Sequence, residues 1–291
     1  MTEQKNLPLV VVGVDGSEDA LRAVTFGVRS ALRVDGELLL VNAVDDAVLA
    51  GSWGVVYDPA VLQRAGQAAT ESAKAFAMSE GLPEERIRTD VLLGNSAAVL
   101  TRLSEFADLV VVGRRSASGL ERMFVGSTSV AVAGAASCPV VVVSAASNPD
   151  PTGSHGVVGV GLESSASSLT TIERGFEQAK LRGARLSLIH IVQPPMGLFG
   201  PKLNPSELEQ QVVYVKGGIE AMTSELRERY PEVEVSVDVA AGTPINDLVN
   251  RSATLDLLVL GVHGSGVPGF TLGGLTRGLM AHAKCPLLLT R

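Results

Sequence analysis

At 291 residues, 46% of them hydrophobic and 19% charged, the chain is long enough for two ordinary domains, each with its own core. A net charge of −7 and a pI near 5.2 argue against a broad phosphate-binding surface, and so against nucleic acid as a partner. The longest apolar runs, such as 7–14, are too short to span a bilayer, and the opening MTEQKNLP lacks the basic and apolar regions of a signal peptide, so a cytoplasmic protein with no membrane partner is expected.

In chain order, 8–14 is a continuous apolar run of strand length, followed by GSED and by Ala20, Val24, Val28, Ala31 and Leu32 at helical spacing. Residues 38–44 give a second strand, 59–80 a long alanine-rich helix, and 86–92 a weaker alternating strand ahead of a helix near 97–106. A fourth strand at 108–113, a short helix at 127–136 and a fifth strand at 140–143 complete this set. The plan then repeats, with strands at 157–160, 185–192, 233–239, 256–261 and 287–290 and main helices at 168–181, 206–229 and 244–252. Short apolar strands alternating with helices bury both faces of a parallel sheet and need helical crossovers, so each half is expected to be α/β.

One segment is read twice. A buried strand, a Gly-rich loop, a short helix and a Cys-Pro pair run from Asp108 and again from Asp256, placing Cys138 and Cys285 147 residues apart. A repeat of that length means two copies of one domain rather than a solenoid. Domain one is expected at 1–147 and domain two at 156–291, joined by a linker at 148–155 (NPDPTGSH) rich in Pro, Gly and small polar residues. Cys138 and Cys285, just before Pro139 and Pro286, read as buried structural thiols rather than disulfide partners or metal ligands.

Ligands of open parallel sheets sit beyond the carboxyl ends of strands where the strand order reverses. The first strand ends in Gly13-Val14-Asp15-Gly16-Ser17, and the fourth is followed by Gly113, Gly119, Gly126, Ser127, Thr128 and Ser129. Glycine lets backbone approach a phosphate closely, and amides at the start of a helix point positive charge at an anion. The Ser127 and Ser129 hydroxyls would add donors, and Arg114 or Arg115 a charge. The plainer account is that the glycines only turn strands into helices and the serines cap them. Neither GxxxxGK[ST] nor a GxGxxG after strand one is present, which removes most support for P-loop and dinucleotide sites.

GVDGS after the first strand, together with a glycine loop ending GSTS ahead of a helix and CPVVVV, resembles the universal stress protein family, here as a tandem pair covering nearly the whole chain. The resemblance implies two Rossmann-like domains, each an open five-stranded parallel sheet of order 3-2-1-4-5 with helices on both faces. It implies ATP, with Mg2+ on its phosphates, bound by a G-x2-G-x9-G-[ST] loop after strand four. Carried over, Asp15 meets the adenine or ribose beside Gly13 and Val14, and the backbone of Ala43 contacts the base. Gly113, Gly119, Gly126, Ser127, Thr128 and Ser129 hold the phosphates. The second motif glycine is Ser116 in this chain, whose amide can donate but whose side chain disfavours a positive φ.

The second copy departs further. It keeps Gly261 and Gly264, with His263 able to face phosphate and Ile191 standing for Ala43. Its first strand ends Gly159-Val160-Gly161-Leu162-Glu163, so the Asp is missing and Glu163 is the substitute carboxylate. Its loop is one residue shorter. Measured from the Cys-Pro, Gly273 stands for Gly126 and is followed by Gly274, Leu275 and Thr276; a literal motif count ends instead at Gly274. Either way a hydroxyl is lost, which ranks the first copy ahead of the second as a nucleotide site.

Other polar residues carry less. His190, within a strand, reads as a core or base-edge residue, and His155 and His282 as linker and helix-surface positions. Trp53 and Tyr57, after the second strand, are placed to cover a base or simply to pack. No metal site is spelled out, and no G-x-S-x-G elbow suggests a covalent hydrolase. The resemblance implies a stress-response regulatory protein with little or very slow hydrolysis, and the residues offer no evident general base beside the loop. Two readings stay open beside it: a nucleotide hydrolase or nucleotidyl-transfer enzyme, and a nucleotide-free interaction protein. The resemblance further implies that the fifth strands, 140–143 and 287–290, pair within one chain as an internal pseudo-dimer; association into a homodimer is not decided by the residues.

Overall fold

Each half of the chain builds a parallel sheet from its most apolar segments. The computed structural model describes residues 7–45, 59–114, 126–147, 154–163, 168–194, 204–262 and 272–291, which divide into two units. In the first, strands β1 (Leu9–Gly13), β2 (Glu37–Val44), β3 (Ile87–Leu93), β4 (Leu109–Gly113) and β5 (Val140–Val143) lie in the order 3-2-1-4-5, all neighbours parallel. Helices α1 (Glu18–Val34), α2 (Pro59–Ser79), α3 (Ser96–Leu103) and α4 (Ser127–Ala135) make the crossovers. Val10, Val11, Val12, Leu38, Leu40 and Val110 are each at most 2% exposed. Continuous apolar strands of this kind are stable only with both faces covered, each such side chain contributing about 1.5–3 kcal/mol.

The second unit repeats the plan. Strands β6 (Val157–Leu162), β7 (Arg185–Val192), β8 (Val235–Ala241), β9 (Leu257–Gly261) and β10 (Leu287–Thr290) take the same order and are again parallel. Its helices are α5 (Ser168–Arg182), α6 (Pro205–Met222), α7 (Ser224–Arg229), α8 (Pro244–Arg251) and α9 (Gly274–His282). The fold class and strand order implied by the resemblance are therefore those observed. Of the segment read as a linker, 148–153 lies outside the described residues. Ser154 and His155 are tied to the second unit through the Asp256 carboxylate, which accepts from the Ser154 hydroxyl and the His155 amide.

Small devices recur in both units. Asp108 accepts from the first amide of β1 (Leu9 N, 2.8 Å), and Asp256 from that of β6 (Val157 N, 3.1 Å), satisfying donors at the amino ends of the sheets. Buried Ser104 and Ser252 each accept a backbone amide from the turn before the Cys-Pro, Ser137 N at 2.8 Å and Lys284 N at 2.9 Å.

Three expectations are corrected. The helix expected at 206–229 is broken at Thr223, a fully buried residue with φ −96° and ψ 0°, whose hydroxyl donates to the Ile219 carbonyl at 2.9 Å; such back-bonding competes with the helix ladder. The third strand of the second copy starts at Val235 rather than Val233, because Val233 N closes a turn onto the Tyr230 carbonyl. Cys285 is buried, and burial pushes its thiol pKa well above the ordinary range, as an inert structural thiol requires. Cys138 is only half-buried, its Sγ 3.4 Å from the Pro139 carbonyl.

Candidate functional site

The carboxyl ends of β1, β2 and β4 in the first unit surround a cleft of about 160 Å³. It forms at the reversal of strand order, since β1 is flanked by β2 on one side and β4 on the other. Val14 is fixed from both directions by β2: its amide donates to the Val41 carbonyl at 2.8 Å, and its carbonyl accepts from Asn42 Nδ2 at 2.8 Å. Asp15 then turns the chain, its Oδ1 accepting from Ser17 N at 3.0 Å, while Gly16 adopts φ +77°. Ser17 caps α1 through the Ala20 amide at 3.2 Å. This run of local bonds holds the exposed Asp15 carboxylate at the cleft.

The opposite wall is the beginning of α4. Gly126 is its N-cap and offers no side chain to the helix, so the first amides, on Ser127, Thr128 and Ser129, have no intrahelical acceptor; the ladder starts with Val130 N donating to the Gly126 carbonyl. The helix dipole and these first-turn amides favour an anion there. Gly113 ends β4 beneath α1, and a Cβ at this position would lie 2.6 Å from the backbone carbon of Asp19, so no larger residue fits without moving the helix.

The structure brings together Gly13, Val14, Asp15, Ala43, Gly113, Gly126, Ser127, Thr128 and Ser129 around this cleft. Arg115, Ser116 and Gly119 lie outside the described residues, as do Trp53 and Tyr57. Two roles change. Arg114 is buried rather than facing the cleft, its amide bonded to the Val143 carbonyl at 2.6 Å; burial lowers its pKa, and the Asp19 carboxylate opposes that shift. Asp19 also accepts from Arg22 Nη1 at 2.8 Å, so Arg114 belongs to a structural charge cluster. The Ser129 hydroxyl, expected as a ligand donor, is buried and donates to the Gly126 carbonyl at 2.9 Å.

Sequence reasoning missed Asn42, Ser96 and Leu100, which line the cleft together with Ser17 of the strand-one loop. A polar residue interrupting an apolar strand, as Asn42 does in ELLLVNAV, was the available signal for the first of them. Asp15 is the only acid or base among the described lining residues. No cluster of three or more His, Cys, Asp or Glu side chains occurs among the described residues.

In the second unit the same strand ends enclose only about 10 Å³, lined by Gly161, Glu163, Thr171, Leu260, Gly261, Leu275 and Thr276. Register shows that Gly161, opposite Ile189, holds the place of Gly13, opposite Val41. Gly159 instead sits mid-strand, where a Cβ would come within 2.5 Å of Leu255, and it does not line this space. Gly273 is the N-cap of α9 as Gly126 is of α4, so Gly274, Leu275 and Thr276 occupy the places of Ser127, Thr128 and Ser129. Ile191 stands at the place of Ala43, is 7% exposed, and is not among the lining residues. His190 holds the place of Asn42 and makes the same bond, its Nδ1 3.0 Å from the Leu162 carbonyl. His263 and Gly264 lie outside the described residues.

Comparison with known proteins agrees with this duplicated architecture. The family model described as "Universal stress protein family" matches twice, over residues 9–144 and 156–291. A universal stress protein of Mycobacterium tuberculosis is 28% identical over 292 residues, covering 97% of this chain and 96% of its own, and one of Mycolicibacterium smegmatis is 28% identical over 294 residues with the same coverage. Among solved structures, a universal stress protein from Archaeoglobus fulgidus shares the fold with a TM-score of 0.67 at 16% identity, covering 97% of this chain and 96% of that one. With both halves matched and every strand of each half accounted for, the chain belongs to the universal stress protein family as a tandem member.

Proposed function

We propose that the first unit binds an adenine nucleotide, ATP with Mg2+ on its phosphates, and that the protein is a cytoplasmic stress-response regulator with little or no turnover. One observation carries this reading: the open amino end of α4 and the Asp15 carboxylate face one cleft at the β1/β4 switch point. The carboxylate is placed to accept from ribose hydroxyls or the adenine amino group, with the Ala43 backbone beside the base. The α4 amides and the Ser127 and Thr128 hydroxyls are placed for phosphate oxygens. The volume suits part of a nucleotide, leaving the triphosphate to run along the start of α4. Without a cage of carboxylates among the described residues, the metal ion would be held chiefly by the phosphates themselves. The single carboxylate in the lining is already engaged by Ser17 N and lies on the base side, which supports binding over hydrolysis. The two tandem copies fit an internal pseudo-dimer.

The substitution Ser127→Asp separates binding from folding. A carboxylate in the first turn suits the helix dipole, worth about 0.3–1 kcal/mol, yet repels phosphate. Calorimetric titration with ATP and Mg2+ is expected to show affinity weakened tenfold or more with thermal stability unchanged or raised, and Asp15→Ala is expected to weaken binding as well. No binding to the wild type would support a nucleotide-free interaction protein, and rapid release of phosphate or pyrophosphate an enzyme.

A further inference from the structure

A second cavity lies at the opposite end of a sheet from where α/β ligands are expected. It is an open depression of about 330 Å³ at the amino ends of β6 and β7, within the range of roughly 300–1,000 Å³ usual for small-molecule sites. Arg185 opens β7 and Ser187 follows on the same face, the face against which α8 packs. Arg251 ends α8, Thr254 follows it, Asp238 enters from β8 and His155 from the start of the unit. The Arg251 guanidinium pairs with Asp238, leaving the rest of its fork of donors. Arg185 makes no ion pair among the described residues; Glu234, next to it across β8, is exposed and does not line the cavity. Two guanidiniums against one carboxylate leave the lining cationic.

The duplication supplies a control. Strands β2 and β7 are both eight residues long, as are α3 and α8, so positions correspond one to one. Where the second unit has Arg185, Ser187, Arg251 and Thr254, the first has Glu37, Leu39, Leu103 and Phe106. Two part-buried leucines, an exposed phenylalanine and an acid are thus exchanged for cations and hydroxyl-bearing side chains that line one depression. Such an exchange gives up little buried apolar surface and gains charged hydrogen-bond donors.

We propose that this cavity binds a small oxyanion, the phosphate or carboxylate group of a small metabolite. The Arg185 and Arg251 guanidiniums supply charge and forked donors and the Ser187 hydroxyl a further donor, while the Thr254 hydroxyl donates to the Arg251 carbonyl at 3.0 Å and holds the end of α8 against the site. The site uses no residue of the nucleotide cleft and stands whether or not that cleft binds ATP.

The test follows the arginine side-chain Nε–H signals of the full-length protein by NMR at constant ionic strength, adding inorganic phosphate, acetate, or chloride as control. Saturable shifts of Arg185 and Arg251 with phosphate or acetate, and not with chloride, are expected. In Arg185→Ala the Arg251 response should weaken about tenfold or more, as loss of a charged hydrogen bond predicts. Ser187→Leu, which restores the side chain of the first unit, should abolish it. The stronger of the two responses identifies the ligand as phosphoryl or carboxylate. Shifts that rise linearly, match those of chloride, or persist unchanged in Arg185→Ala overturn the site. Arg185 is exposed, so Arg185→Ala is expected to unfold at the wild-type temperature, keeping the outcome readable.

Discussion

Val14 shows how little of a binding site need be side chain. Its amide and carbonyl are both claimed by β2, the carbonyl through the Asn42 amide, and this fixes where Asp15 emerges. The second unit keeps the bond with a different residue, His190, whose Nδ1 must carry the proton to donate to the Leu162 carbonyl. Replacing Asn42 with Leu keeps the side chain's approximate size and leaves a carbonyl of the 5%-exposed Val14 without its partner. The expected cost is about 1–3 kcal/mol, the penalty for a stranded buried acceptor. Urea unfolding measures it, and a loss under about 0.5 kcal/mol, the level of an ordinary surface substitution, would show the bond to be dispensable.

At the scale of elements, both units solve one packing problem in the same way. Where α1 crosses β1, a Cβ on Gly27 would lie 2.5 Å from Val12 Cγ2 and 3.1 Å from Leu38 Cδ1; where α5 crosses β6, one on Gly175 would lie 2.3 Å from Val160 Cγ2 and 3.2 Å from Leu186 Cδ1. Alanine at either place gains about 1 kcal/mol of helix propensity. Against that stands overpacking of about 1–3 kcal/mol, toward the upper end because a β-branched valine in a strand has no rotamer to retreat to. Gly27→Ala and Gly175→Ala are therefore expected to lower stability by about 1–2 kcal/mol each in chemical denaturation, and a stabilised variant would mean that the sheet yields.

These glycines also mark the limit of reading the sequence. Apolar runs such as LVVVG revealed the strands because both faces of a parallel sheet are buried, and strand-end glycines revealed the cleft because they stand where strand becomes helix. A glycine inside a helix looks only like a penalty, since the side chains it makes room for belong to distant strands. Arg114 looked like a phosphate ligand because its burial against Asp19 depends on where α1 lands. The break at Thr223 was hidden in a segment whose neighbours all favour helix.

At the scale of the whole molecule, the duplicated scaffold carries two ends that have diverged in opposite senses. The first unit keeps an Asp15-lined cleft of about 160 Å³, while the matching strand ends of the second leave about 10 Å³, with Leu275 and Thr276 where the first has Thr128 and Ser129. A space of about 10 Å³ admits a nucleotide only if its lining moves apart. If only the first cleft is used, titration should give close to one ATP per chain, and Asp15→Ala should weaken the single transition without uncovering another. Conversely, Thr276→Val, nearly the same in shape, should leave both affinity and stoichiometry unchanged. Two ATP per chain, or a transition sensitive to Thr276→Val, would show that the second unit opens to accept a nucleotide and that sequence divergence at its strand ends changed affinity rather than occupancy.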